Sequence, residues 1–115
     1  MTRDEIMKLE GRELDAAVAV HVMGWELIDE NDFRGAIWYD GDSPKCYHRQ
    51  LCFSSDIAAA WPVVEKMAAP ELTKTANGDR WRCVANRYRS GHPLMAIAAT
   101  APEAISRAAL LAVLT

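Results

Sequence analysis

The sequence predicts one α+β domain, residues 1–115, with a mostly antiparallel sheet and helices packed on one or both of its faces. Three observations carry that prediction. Thr100 to Thr115 forms a helix with a well-marked start: Thr100 suits the N-cap, Pro102 the first turn, and Glu103 completes a capping box. After Glu103 only Ser106, Arg107 and Thr115 are polar, and a helix apolar all round has to be covered on more than one side, by the rest of the domain or by a second copy. Second, Asn77-Gly78 stands between two β-type runs, Leu72 to Ala76 and Arg80 to Arg89, which favours a tight hairpin. Third, the elements run helix, hairpin, helix, three more strands, helix, an order that suits segregated α+β layers.

Taken in order, Thr2 and Glu5 frame a short helix through Leu9, with Ile6, Met7 and Leu9 as its apolar residues. Gly11 separates it from a helix in which Leu14, Ala17, Val18, His21 and Val22 share a stripe, and Gly24 after Met23 is a left-handed stop from which Trp25 folds back. Glu26 to Asp42 is an acidic tract holding one strand, Ala36 to Tyr39. Asp40 to Pro44 is rich in turn residues, and Cys46 to Phe53 is the expected returning strand, the pair forming a short edge of the sheet. Ser54, Ser55 and Asp56 offer N-cap oxygens to a helix whose expected buried stripe is Ile57, Ala60, Trp61, Val64 and Met67. Pro62 lies inside it and predicts a bend near Ala58 to Trp61; Pro70 ends it. In the later hairpin, Trp81, Cys83 and Ala85 should face the core and Arg82, Val84, Asn86 and Tyr88 the other side. Ser90 to Pro93 is a turn, and the apolar run Leu94 to Ala99 is expected to be a central strand covered on both faces.

The net charge of −3 is unevenly divided, with eleven acids and four bases in residues 1–42 and five acids and nine bases in residues 43–115. Overall acidity argues against generic nucleic-acid binding. No apolar run approaches the roughly 20 residues that span a bilayer, and Met1 to Glu5 is too acidic for a signal or transit peptide, so no membrane partner and a cytoplasmic location are expected. Three cysteines without an export signal favour reduced thiols.

Three blocks, Gly11 to Asp15 through Val22 to Trp25, Ser54 to Trp61 through Val63 to Lys66, and Thr100 to Ile105 through Arg107 to Leu111, resemble in order and wording the phage ABA sandwich domain family. The resemblance covers the three major helices. It implies a three-layer α/β/α sandwich with the sheet between helices, and a phage origin, and it brings no catalytic residue. Glu26 to Phe53 and Leu72 to Arg89 lie outside the blocks, so what is particular to this chain is expected there.

Cys46-x-His48-x-x-x-Cys52, with Cys83 or His92 as a fourth group, would show its ligands on one face of a strand and so suits zinc. Against this, the spacing matches no C-x-x-C knuckle, and strand cysteines of this kind usually act as small hydrophobes; no cofactor is expected. There is no G-x-S-x-G elbow, no H-E-x-x-H motif and no phosphate-binding P-loop, and Asp29, Glu30 and Asp32 read as a solvated loop, so no enzyme is expected. His21 reads as a partly buried histidine, and Trp25, Trp61 and Trp81 as core. Trp38 and Tyr39 beside an acidic turn divide between burial and roles in stacking a planar ligand or filling an interface. From Arg80 to Pro102 there are four arginines, one histidine and no acid. Cross-strand pairing with the acidic tract is the plainer account of that run. If it binds, Arg82, Arg87, Arg89 and His92 supply charge for a phosphate, with Trp38 or Tyr39 stacking.

These readings lead to a homo-oligomer and to a non-enzymatic phage accessory protein that binds and sequesters a small phosphate-bearing ligand, such as a nucleotide signal of host defence. The alternative is an interaction protein that binds and inhibits or redirects a host protein; a nucleotide-processing enzyme stands third.

Overall fold

A computed structural model describes residues 1–28, 35–85 and 94–114. Helix α1, Arg3–Lys8, starts at the predicted capping box, the Glu5 amide donating to Thr2 Oγ1 at 3.2 Å, and buries Ile6 completely. Helix α2, Gly11–His21, buries Leu14, Val18 and Ala19. Its C-terminus turns at Gly24, where φ is +72° and a side chain would be strained. The Trp25 amide then bonds back to the Ala19 carbonyl at 2.8 Å, so the chain doubles back as predicted.

The strands fall into two three-stranded sheets, every pairing antiparallel, where the sequence suggested one. The first sheet holds β1, Glu26–Ile28, β2, Ile37–Asp40, and β3, Ser43–Tyr47. The acidic tract therefore contributes a strand, β1, that its charge concealed. The returning strand starts at Ser43, earlier than predicted, because Gly41 at φ +60° turns the chain within two residues; it ends at Tyr47, where a 3-10 turn, His48–Gln50, begins. Pro44 is tolerated because β3 is an edge strand.

Helix α3, Ile57–Glu65, is capped by Asp56, whose carboxylate accepts the Ala58 amide at 2.9 Å, and Pro62 does not end it. The second sheet holds β4, Glu71–Lys74, β5, Trp81–Ala85, and β6, Leu94–Ala98, in that order. The connection at Asn77-Gly78 is closed by the Thr75 amide on the Arg80 carbonyl at 3.0 Å. The predicted facing of β5 holds: Cys83 and Ala85 are buried, Trp81 is half-buried and Arg82 is exposed. Strand β6 departs from prediction. It pairs with β5 alone among the described strands, and Ile97 on its outer side is exposed. Its uniformly apolar composition hid the difference between its two faces. Asn86, Tyr88 and the Ser90 to Pro93 turn lie outside the described residues, as does the acidic loop at Asp29, Glu30 and Asp32.

Helix α4, Ala101–Leu114, is the centre of the packing. Cys83, Ala85, Ala96 and Ala98 alternate toward it from β5 and β6, and such small side chains let a helix lie close to the sheet. Helices α1, α2 and α3 cover its remaining sides. Residues Ala104 to Leu111 are all buried, Ser106 and Arg107 included. Arg107 Nη2 donates to the Leu9 carbonyl at 3.0 Å and pairs with Glu103 Oε1 at 2.8 Å, so the buried guanidinium is met by a carboxylate and a carbonyl. The α+β class and the sandwich of sheet and helix layers are thus as predicted. The middle of α4, however, is covered by its own chain, which removes the need for a second copy there.

Candidate functional site

Helix α3 differs from prediction in a way that creates a surface. The expected stripe placed Ile57 and Trp61 in the core; the buried residues are Ala60 and Val63, with Val64 and Met67 partly covered. Ile57 is 49% and Trp61 56% exposed, and Ala58 and Pro62 are exposed as well. Ile57 to Val64 is apolar at every position, so periodicity could not choose the inward face. The open face of α3 is therefore apolar along its first two turns, with Glu65 exposed at its end.

What fixes α3 in place is polar. Asp15 of α2 is buried, and its Oδ1 accepts the Ser54 amide at 2.7 Å, two residues before the Asp56 cap. Arg12 Nη2 reaches the Arg49 carbonyl at 3.3 Å, and the Trp25 ring meets Phe53 with centroids 5.3 Å apart. The segment between β3 and α3 is thereby tied to α2.

A hole lies on each flank of α3. One, of about 270 Å³, is walled by Ala59 and Pro62 of α3, by Trp25 and Phe53, and by Cys46 and Cys52, with exposed Lys45 among its lining residues. The other, of about 370 Å³, lies between Trp61 and Val64 on one side and Leu72, Cys83 and Ile105 on the other, with Glu71 as its charged residue.

The cysteine and histidine positions do not share one strand face as the zinc reading required. Cys46 is on β3, His48 opens the 3-10 turn, and Cys52 follows that turn. His48 Nδ1 accepts the indole N–H of Trp38 at 3.2 Å. Burial, with Cys52 nearby, raises the Cys46 thiol above its ordinary pKa; burial, then the carboxylates of Asp56 and Asp15, raises that of Cys52. Both changes disfavour the thiolate that would attack an electrophile or bind a metal. Among the described residues no group of three or more His, Cys, Asp or Glu is gathered to hold a metal ion.

Of the residues predicted to bind a phosphate ligand, Arg82 is exposed on the outer side of β5, its Nε donating to Thr73 Oγ1 of β4 at 3.3 Å. Arg87, Arg89 and His92 lie outside the described residues. Trp38 is 2% exposed on β2, so it has no open face for a planar ligand, whereas Tyr39 is half-buried. Arg82 and Tyr39 belong to different sheets. His21, read as partly buried, is exposed at the end of α2. Trp25 and Trp81 are half-buried and packed against the core as predicted; Trp61 is not, and it is the residue the sequence reading missed.

No helix among the described residues is long and apolar enough to cross a membrane. No curated protein matches the chain. A crystal structure of a phage protein from Bacillus cereus ATCC 14579 is similar over 89% of this chain and 85% of that one, at 29% sequence identity and a TM-score of 0.65. The profile of the phage ABA sandwich domain matches residues 16–110, which is most of the length and takes in the second of the three blocks whole, the first from Ala16 onward and the third as far as Leu110, and the chain belongs to that family.

Proposed function

We propose that the chain is a non-enzymatic protein-interaction module that docks another protein on the open face of α3. The observation that carries the reading is Trp61, more than half exposed one turn from exposed Ile57 on a helix without a polar residue before Glu65. Tryptophan is enriched among the few residues that dominate binding energy at protein interfaces. The flanking holes fit the same reading. Small-molecule sites usually occupy roughly 300–1,000 Å³. The hole at Pro62 is smaller, about 270 Å³, and suits a single side chain; the larger one is lined by Glu71, whose charge opposes a phosphate.

A photo-crosslinking residue at Ala58, irradiated in cells making the protein, should yield a discrete protein adduct that Trp61→Ala abolishes. Adducts that are absent, or indifferent to Trp61, would remove this function. The phosphate-ligand reading retains one supporting observation, an exposed Arg82 whose guanidinium bonds to a neutral threonine. A thermal-shift screen with mono-, di- and cyclic nucleotides tests it, since a ligand of the native state raises the melting temperature. A shift lost in Arg82→Ala, Arg87→Ala or Arg89→Ala would favour it over the protein partner.

A further inference from the structure

We propose that the outer edge of β6 is a second interaction surface, separate from α3, and that its occupant is β6 of another copy of the chain, paired antiparallel across a two-fold axis between the two Ala96 residues. The second sheet would then continue without a break from one copy into the other. Its register shows which backbone groups are open. Bonded and non-bonded pairs alternate along an antiparallel ladder. The Thr75 amide donates to the Arg80 carbonyl, which makes that pair a bonded one, so Thr73 with Arg82 and Glu71 with Val84 are bonded pairs too. Trp81, Cys83 and Ala85 therefore direct their backbone groups to β6, where they meet Ala98, Ala96 and Leu94. Met95 and Ile97 are left with amide and carbonyl pointing away from β5. An independent contact agrees, since Arg3 Nη2 donates to the Met95 carbonyl at 3.1 Å. Among the described residues no strand pairs with this edge, and Arg3 is the one group that bonds to it.

Open amides and carbonyls in a row are met by extended backbone. What selects a second copy is the register. With Ala96 opposite Ala96, Met95 stands against the partner's Ile97 and Ile97 against the partner's Met95, so each pair exchanges both of its bonds and every open group of the edge is used. A shift of one residue sets open groups against occupied ones, and a shift of two carries Met95 or Ile97 past the end of the partner strand. Composition agrees with the register. Strand β6 holds no charge, whereas β4, the other edge, carries Glu71 and Lys74 and is flanked by Trp61 and Val64 of α3. Charge on an edge strand discourages pairing. Ile97, 37% exposed on the outer side of the sheet, gains an apolar cross-strand neighbour in the partner's Met95. Arg3 is the competitor, because pairing replaces its bond to the Met95 carbonyl with one from the amide of the partner's Ile97.

Sedimentation equilibrium and amide hydrogen exchange of the full chain test the proposal. The unaltered chain should dimerise at tens of micromolar. As its concentration rises, the Met95 and Ile97 amides should exchange more slowly, while the Ala96 amide, already bonded to β5, stays slow throughout. Ile97→Pro removes an amide that no strand of the same copy uses, so the monomer should keep its fold and the dimer dissociation constant should rise at least about tenfold. Arg3→Ala should lower that constant, and Trp61→Ala should leave it unchanged. A monomer at every concentration, edge amides whose exchange ignores concentration, or an Arg3→Ala chain that dimerises less than the unaltered one would overturn β6 as the contact between copies. A dimer that survives Ile97→Pro but not Trp61→Ala would overturn it as well and move that contact to α3. Should Ile97→Pro fail to fold, the exchange of the edge amides in the unaltered chain decides.

Discussion

Helices α3 and α4 pose the same problem in sequence: each is apolar on nearly every side and neither has a full polar face. In α4, Ala104 to Leu111 are all covered by the chain itself, by β5 and β6 on one side and the other helices around the rest. In α3, Ala60 and Val63 are covered while Ile57, Ala58, Trp61 and Pro62 stand open. The contrast teaches that an apolar circumference reports a demand for contact without naming the supplier. The supplier is decided by topology, and α4 lies in the middle of it. The homo-oligomer expectation rested on α4 and on the number of aromatic residues, and the covered middle of α4 removes the first of those grounds.

Truncation inside α4 tests the contrast most severely. Leu110→Ala, at a side chain with no exposed surface, should destabilise the fold by about 2–5 kcal/mol, seen as a lower urea midpoint with an unchanged slope. A loss below about 1 kcal/mol would mean that α4 is less closely packed than its burial indicates.

Next is the sheet beneath α4. Burial pushes the Cys83 thiol up to about 11 from an ordinary 9.0. The folded chain therefore keeps this proton to higher pH than the unfolded chain does. Its contribution is intact below about pH 9 and is lost as pH rises through 11, by about 2 kcal/mol at that point. Cys83→Ala should flatten this part of the stability profile; an unchanged slope would assign the loss at high pH to other groups.

A smaller effect is expected where α3 is anchored. Asp15→Ala leaves the Ser54 amide without its acceptor, and because Ser54 is only half-buried the cost should be about 1–2 kcal/mol. Asp15→Asn, which keeps a carbonyl oxygen, should lose less. Equal losses in a chemical denaturation series would indicate that the carboxylate's charge, rather than its acceptor oxygen, holds this joint.

The smallest effect on stability, and the one that separates the two helices, is that of Trp61→Ala. Surface positions usually respond within about 0.5 kcal/mol, so the melting temperature of the dilute protein should hardly move. A loss comparable to that of Leu110→Ala would place Trp61 in the core and end the distinction between the helices.

The chain announces its local structure more clearly than its long-range arrangement. The Thr2 and Asp56 caps, the Gly24 stop and the inward residues of β5 are legible because caps, turns and alternation are local signals. Uniform composition is where legibility ends. Neither Ile57 to Val64 nor Leu94 to Ala98 contains the polar residue that would mark an outer face, so Trp61 and Ile97 were placed on covered sides. Strand β1 was hidden by its acidic surroundings, and its three side chains are all exposed, which deprives it of the alternation that marks a half-buried strand. Asp15 gave no signal because its partner is a backbone amide 39 residues away.

The bond from Arg107 to the Leu9 carbonyl joins residues 98 positions apart, and it bears on the order of events during synthesis. Every other described element precedes α4, so a ribosome produces α1, α2, α3 and both sheets before the helix on which they converge. Until then Leu14, Val18 and Val63 lack the surface that buries them, and closing the domain waits for contacts between distant parts of the chain. The open face of α3 is then one part of a larger apolar surface, and crowding of nascent chains on one message would favour contact between copies at that stage.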